Sequence, residues 1–234
     1  STSRASKIFE LIHVDIWGAY KCSTYNGYKY FLTIVDDYSR ATWVHLMSCK
    51  SNAFPLLQSF VAYIENQFAV SVKTIRSDNG QEFKEGQPSH FMHKKDITPD
   101  FIVDTPQQNG VVERKHKDLL EVARALMIQA NLPQKFWGES ILTAAYLINR
   151  FPTPLLNNMT PFEVLHHQKP IYTHLRVFGC LCYASTLKRD RSKFQPRATP
   201  CIFLGYPLGQ KAYKLYDLKS KRVFISRDAF CYET

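Results

Sequence analysis

Ile8-Phe9-Glu10-Leu11-Ile12-His13-Val14-Asp15-Ile16-Trp17 alternates along its length. Ile8, Ile12, Val14 and Ile16 fall on one face. Phe9, Leu11, His13, Asp15 and Trp17 fall on the other, which is the two-residue period of a β-strand. Asn26-Gly27 then signals a tight turn. Residues 30–35 and 42–47 read as two further strands, joined at Asp36-Asp37-Tyr38-Ser39-Arg40. Three successive strands with short connections predict an antiparallel meander.

Outward from the meander, the pattern changes period. Ser51 is a candidate helix cap, and Leu56, Leu57, Phe60, Val61, Ile64 and Phe68 follow at helical spacing. Residues 72–76 read as a strand that stops at Ser77-Asp78-Asn79-Gly80. A short helix near 88–95 and a strand near 101–103 are expected next. Residues 105–110 are a loop by composition. Long helices are expected over 111–131 and 134–150, broken at Pro133. Beyond Pro170 come short β-type runs at 175–184, 201–205, 212–216 and 223–226, punctuated by glycine and proline. The expected order is β-β-β-α-β-α-β-α-α and then a small all-β module, with domains at 1–169 and 170–234.

The charge follows the same division. The 234 residues carry 30 Lys+Arg against 20 Asp+Glu, a net of +10. Residues 1–104 hold 11 basic and 11 acidic side chains. Residues 166–234 hold 13 and 4, a net of +9. Such an excess suggests a polyanionic partner gripped by the tail, usually nucleic acid and less often an acidic membrane surface. A hydrophobic share of 45% excludes wholesale disorder. No apolar run approaches the roughly 20 residues of a membrane span. Six cysteines, at 22, 49, 180, 182, 201 and 231, lack zinc-knuckle spacing and are expected to be reduced thiols.

The chemistry-bearing residues sit at element ends. Asp15 lies on the first strand, Asp78 just past the fourth, and Glu113 in the first turn of the long helix. Carboxylates at such ends can converge at one sheet edge, where they need a counter-charge; hard oxygen ligands suit Mg²⁺. Along the long helix, Glu113, Lys117, Leu120 and Arg124 share one stripe. Val112, Leu119, Ala123, Leu126 and Ala130 form its apolar neighbour. Arg114, Lys117 and Arg124 are therefore candidates for DNA contact, against the plainer reading of an amphipathic helix with a Glu113–Lys117 pair. Asn79 and Glu82 are candidates for supporting the carboxylates. Asp36-Asp37 reads as a turn rather than a ligand pair. His90-x-x-His93 has no cysteine pair to complete a zinc site, and His166-His167 reads as a helix end. In the basic module, Lys188, Arg189, Arg191, Lys193 and Arg197 are candidate phosphate contacts. Tyr183, Phe194, Tyr206, Tyr213 and Tyr216 are interleaved, mainly as core.

Several strings here are specific: His13-Val14-Asp15-Ile16-Trp17-Gly18, residues 33–40, Ser77-Asp78-Asn79-Gly80-Gln81-Glu82-Phe83 and Pro106-Gln107-Gln108-Asn109-Gly110-Val111-Val112-Glu113-Arg114. With Phe136-Trp137, residues 144–150, Thr160-Pro161-Phe162-Glu163, Phe178-Gly179-Cys180 and Phe203-Leu204-Gly205-Tyr206, the chain strongly resembles the integrase of copia-type LTR retrotransposons. The resemblance implies an α/β fold: a ribonuclease-H-like mixed sheet flanked by helices, followed by a small SH3-like barrel. It implies a catalytic triad of Asp15, Asp78 and Glu113 that holds two Mg²⁺ (or Mn²⁺) ions. The implied reaction is trimming of 3′ ends and transfer of those ends into target DNA. Double-stranded DNA, element ends and target alike, would be the partner. A homo-multimer acting in the nucleus, with a cytoplasmic virus-like-particle stage and no membrane, is implied as well. The family's N-terminal zinc domain is not expected within these residues.

Two departures stand out. Gln81 replaces a usual glycine, and residues 95–104 lack the family's Gly-Ile-x-His pattern. They keep open a catalytically silent, domesticated DNA-binding module. A ribonuclease-H-type nuclease is the further alternative.

Overall fold

The computed structural model describes residues 4–78, 80–84, 86–101, 110–186, 194 and 196–233, with no account of the Gln81 and Lys84 side chains. The expected meander forms. Strands β1 (Leu11–Trp17), β2 (Tyr30–Asp36) and β3 (Thr42–Met47) pair antiparallel, with Val14 opposite Ile34 and Asp15 opposite Thr33. Helix α1 (Ala53–Phe68) then carries the chain back over the sheet. Such a crossover allows a parallel partner, and β4 (Thr74–Ser77) pairs parallel with β1. Helices α2 (Gln81–Lys84) and α3 (Gln87–Lys94) make a second crossover to β5 (Thr98–Phe101), parallel to β4. The sheet order is β3-β2-β1-β4-β5.

Burial explains why α1 lies on this sheet. Its Ala53, Leu57, Val61 and Ile64 are fully buried and share one core with Ile12, Val14, Leu32, Ile34 and Ile75 from the strands. Each of the leucine, valine and isoleucine side chains contributes about 1.5–3 kcal/mol by leaving water. Ser51 does not cap the helix. A 3-10 turn over Lys50–Asn52 precedes it, and the Asn52 side chain accepts the Cys49 N–H at 3.3 Å. The strand expected at 101–103 begins earlier, at Thr98; residues 102–103 lie outside the described set.

Helices α4 (Gly110–Ala130), α5 (Trp137–Ile148) and α6 (Pro161–His166) follow. Sequence periodicity did not outline α6, but its end falls at His166-His167, as read from the sequence. Its short span is set by a capping box, in which Thr160 accepts the Glu163 N–H at 3.0 Å and the Glu163 carboxylate accepts the Thr160 N–H. Five strands close the chain: β6 (Leu181–Ser185), β7 (Ala198–Gly205), β8 (Tyr213–Asp217), β9 (Val223–Ser226) and β10 (Ala229–Tyr232). All pairings are antiparallel, in the order β10-β6-β7-β8-β9. The run expected from 175 is a strand only from Leu181. Gly179 stands before it at φ +83, and a Cβ there would lie 2.3 Å from that of Ala130.

The chain forms two compact units. One comprises Ser1–Leu119 and Leu147–Pro170; the other comprises Leu120–Tyr146 and Ile171–Thr234. The second unit thus takes in helical segments that a division at 169/170 assigns to the first domain. Their packing supplies the reason. Tyr146 stacks on Tyr206 with centroids 4.1 Å apart, Thr143 Oγ1 donates to the Leu204 carbonyl at 3.3 Å, and Lys214 pairs with the buried Glu139 at 2.8 Å. Of the module's aromatics, Tyr216 is buried, whereas Tyr183 and Phe194 are exposed. The cysteines are not all reduced. Cys182 and Cys231, direct neighbours on β6 and β10, form a disulfide. Among the described residues, no helix is long and apolar enough to cross a membrane.

In the first unit, β3 is an edge strand, and Asn149 covers part of it. Its Nδ2 donates to the Thr42 carbonyl and its Oδ1 accepts the Thr42 N–H, both at 2.8 Å. Thr42 is 2% exposed, so water reaches it poorly. Replacing the amide orphans two backbone groups. Asn149→Ala is expected to cost about 1–3 kcal/mol in urea unfolding; an unchanged midpoint would show that solvent takes over both bonds.

Candidate active site

Asp15 and Asp78 are brought together by the parallel pairing. Val14 lies opposite Ser77, so the next position on each strand places the two carboxylates side by side. Helix α4 adds Glu113 in its first turn. Asp15 is one-fifth exposed in its side chain, whereas Asp78 and Glu113 are exposed. The three meet electrostatically. Burial, and then the negative charge of Asp78 and of Glu113, push the Asp15 carboxyl up to about 7. Its own oxygen accepts the Ile16 N–H at 2.7 Å, which partly offsets the rise, as does the charge of Lys50.

The carboxylates converge without closing on one another. Among the described residues, the triad oxygens do not form a group lying mutually within 4.8 Å. Like charges held near one another with room between them suit an intervening cation. The surroundings fit that purpose. Gly80 donates its N–H to Asp78 Oδ1 at 3.3 Å. A Cβ on Gly80 would lie 2.6 Å from Glu82 Oε2 and 3.0 Å from Asp78 Oδ1, so a side chain there would push the Glu82 carboxylate aside. Glu82 and Asp78 thus both approach Gly80. Asn79 lies outside the described residues.

Two residues that spacing did not single out complete the site. His116 stands one turn past Glu113 and is 8% exposed. Its Nε2 is 3.0 Å from Thr33 Oγ1, and its Nδ1 is 3.6 Å from Asp15 Oδ2. The Phe31 ring meets it edge-on. Burial lowers its pKa to about 4, so the ring is neutral. With Asp15 ionised, a ring proton at Nδ1 faces its carboxylate and Nε2 accepts from the Thr33 hydroxyl; with Asp15 protonated, the opposite tautomer fits, Nε2 donating to Thr33 and Nδ1 facing the acid proton. The signal was present in Glu113-x-x-His116, but it became legible only with Thr33 known to lie opposite Asp15. Lys50, the second residue, reaches Glu82 at 3.5 Å and brings positive charge to Asp15.

The other candidates separate from this group. Asp36 and Asp37 are structural. Asp36 accepts from the Phe9 N–H at 2.7 Å and from the Ser39 hydroxyl at 2.6 Å. Burial would raise Asp37, but contacts from His13, the Ala5 N–H and Arg40 prevail and hold it at about 2. His90 and His93 are exposed and belong to no three-ligand group among the described residues. Arg114 and Lys117 are exposed on the first unit's part of α4; Arg124 is exposed on the second unit's part. Arg197 is exposed. Lys188, Arg189, Arg191 and Lys193 lie outside the described residues, as do residues 102–109 of the loop before α4.

Comparison with known proteins bears on this geometry. Residues 5–104 match the integrase core domain family, and residues 180–234 match the retroviral polymerase SH3-like domain. Asp15 and Asp78 fall inside the first match, and Glu113 falls between the two. The chain is 38% identical to the retrovirus-related Pol polyprotein from transposon TNT 1-94 of Nicotiana tabacum, over 97% of this chain and 17% of the polyprotein. It is 36% identical to that from transposon RE1 of Arabidopsis thaliana, over 97% of this chain and 15% of the polyprotein. It therefore spans about a sixth of those relatives' length. In fold it is similar to a chain of the simian T-cell lymphotropic virus intasome solved with the PP2A regulatory subunit B56 gamma. That match has a TM-score of 0.58 and 17% identity, covering 99% of this chain and 81% of that one. The HTLV-2 integrase catalytic core domain, solved with magnesium in a trimeric form, is similar at a TM-score of 0.52 and 18% identity. There the coverage is 69% of this chain and 99% of that one. These likenesses establish a retroviral-integrase-type fold for the mixed sheet.

The raised Asp15 carboxyl has a consequence for stability. An acid whose folded-state pKa lies above its unfolded value penalises the fold once ionised. The penalty is absent near pH 4, grows as pH rises, and is complete above about 7. In cation-free protein, Asp15→Asn is expected to raise stability at pH 8 by up to about 4 kcal/mol, and to change it far less near pH 4. Denaturant melts at the two pH values check this; a destabilised variant at pH 8 would contradict it.

Proposed function

We propose, for a chain that belongs to the integrase-bearing Pol family of copia-type transposons, a metal-dependent polynucleotidyl transferase that trims element ends and joins them to target DNA. The observation that carries the proposal is the shared field at Asp15. Burial and the negative charges of Asp78 and Glu113 act together on Asp15, and among the described residues the charge of Lys50 offsets them only in part. Asp15 and Asp78 would together hold one divalent cation, and Asp15 and Glu113 a second. Bound Mg²⁺ or Mn²⁺ would activate the attacking oxygen, water in the first step and a 3′ hydroxyl in the second, and stabilise the leaving oxygen.

The chain's own side chains prepare that site. His116 steadies the Asp15 carboxylate against Thr33. Gly80 and Glu82 hold the Asp78 turn. Lys50 pairs with Glu82 and brings positive charge to Asp15. Arg114 and Lys117, exposed beside Glu113, are set to meet the phosphates that flank the scissile bond. The basic run from Lys188 to Arg197, within a tail of net +9, supports general phosphate gripping by the second unit. The partner is double-stranded DNA. Insertion of two DNA ends asks for more than one active site, so a homo-multimer working in the nucleus belongs to the same proposal.

Asp78→Asn tests it. The variant loses a cation ligand but keeps the fold and the basic surface. Losses in the outer shell of a metal site already cost 10–100-fold, so Mg²⁺-dependent joining of oligonucleotide ends is expected to fall by more than about 100-fold. DNA affinity should stay near that of the unmodified chain. Retained joining would overturn the assignment.

A further inference from the structure

A second cluster of ligand-type side chains lies in the other unit, and the proposed integration chemistry makes no use of it. Cys231 on β10 is opposite Cys182 on β6, and Cys182 is in turn opposite Cys201 on β7. Directly opposed residues on neighbouring strands point to the same face of a sheet. Three cysteines therefore form a row across three strands, and all three belong to the second unit's small core. Cys180 stands two residues before Cys182, and its sulfur is 3.7 Å from that of Cys182. The sulfurs of Cys180, Cys182 and Cys231 lie mutually within 4.8 Å. Among the described residues, no other three histidine, cysteine or acidic side chains come so close together.

This spacing has a chemical meaning. Thiolates about 2.3 Å from a zinc ion at tetrahedral angles stand about 3.8 Å apart. The Cys180–Cys182 separation of 3.7 Å already has that value. Cys182 is fully buried, whereas Cys180 and Cys231 are half-buried and offer an approach from solvent. Soft sulfur ligands select zinc and its thiophilic neighbours over magnesium.

We infer that reduction of the Cys182–Cys231 bond turns Cys180, Cys182 and Cys231 into a binding site for a thiophilic divalent cation, zinc foremost. The reductant is a dithiol of the thioredoxin class. It delivers two electrons and two protons to the Cys182–Cys231 bond, giving two thiols, and leaves as its own disulfide. Zinc then displaces the thiol protons to solvent as the zinc–sulfur bonds form. The two occupations exclude one another, because sulfurs joined covalently cannot spread around an ion. Zinc and the disulfide would each tie β10 to β6, the first under reducing and the second under oxidising conditions. The inference is independent of the integrase reading, since none of its residues belongs to the first unit.

The test uses the full chain, reduced anaerobically with a phosphine and freed of phosphine, and Co²⁺ as the probe. A sulfur-to-cobalt charge-transfer band distinguishes this site from the oxygen ligands of the carboxylate site. Reduced protein is expected to take up about one equivalent of Co²⁺ with that band, and Zn²⁺ should displace it. Unreduced protein should show no band. Cys180→Ser and Cys231→Ser should each weaken binding by at least about tenfold, and Cys49→Ser should not. Absence of the band in reduced wild-type protein would overturn the inference. So would a band that persists in both Cys180→Ser and Cys231→Ser. The comparison of reduced with unreduced wild-type protein needs no variant, so a failure of either substitution to fold does not shield the inference.

Discussion

Mutual repulsion among carboxylates is the constraint around which the first unit is built. Asp15 is drawn out of water by the sheet and faced with two further negative charges, and its carboxyl rises to about 7 in response. Left alone, such a group weakens the fold. The sheet imposes the arrangement anyway, because the parallel β1–β4 pairing fixes Asp15 beside Asp78 through backbone hydrogen bonds. The core of Ile12, Val14, Leu32, Ile34 and the α1 aliphatics holds that pairing in place. Burial elsewhere thus sustains a local electrostatic conflict that a divalent cation would relieve.

The neighbours of the site follow the same logic. His116 is a polar ring buried among apolar groups, kept neutral, and hydrogen-bonded to the strand residue opposite Asp15. Asp36 and Asp37 supply the contrast. They are as acidic in sequence as the triad, yet their oxygens are spent on Phe9, Ser39, Ala5, His13 and Arg40. Carboxylates already satisfied by donors are anchors for a turn. Carboxylates left facing one another are candidates for a cation.

Much of this was legible in the sequence, for identifiable reasons. The alternation of residues 8–17, the Asn26-Gly27 turn and the helical spacing of 56–68 are local patterns; the first produced a strand only over Leu11–Trp17, with Phe9 at φ +60 in a turn before it, and the last produced α1. Asp15, Asp78 and Glu113 stood out locally as polar ends of strands and a helix, but the choice of these three among many acids came from the family resemblance of the strings around them. What stayed hidden depends on distant pairing. Helical periodicity in residues 120–146 marks an apolar face without saying which strands will cover it; the stacking of Tyr146 on Tyr206 is a contact across 60 positions. Lys50 and His116 acquire meaning only when Glu82 and Thr33 are beside them. Cys182 and Cys231 are 49 residues apart and meet only through the β6–β10 register.

The central claim is that Asp15, Asp78 and Glu113 converge to hold divalent cations. Anomalous scattering from a crystal of the chain equilibrated with Mn²⁺ examines it most directly. The account predicts a manganese peak bridging the carboxylates of Asp15 and Asp78, with Glu113 turned toward the same space. A crystal in which manganese leaves that space empty, or settles at Asp36–Asp37 instead, would contradict it.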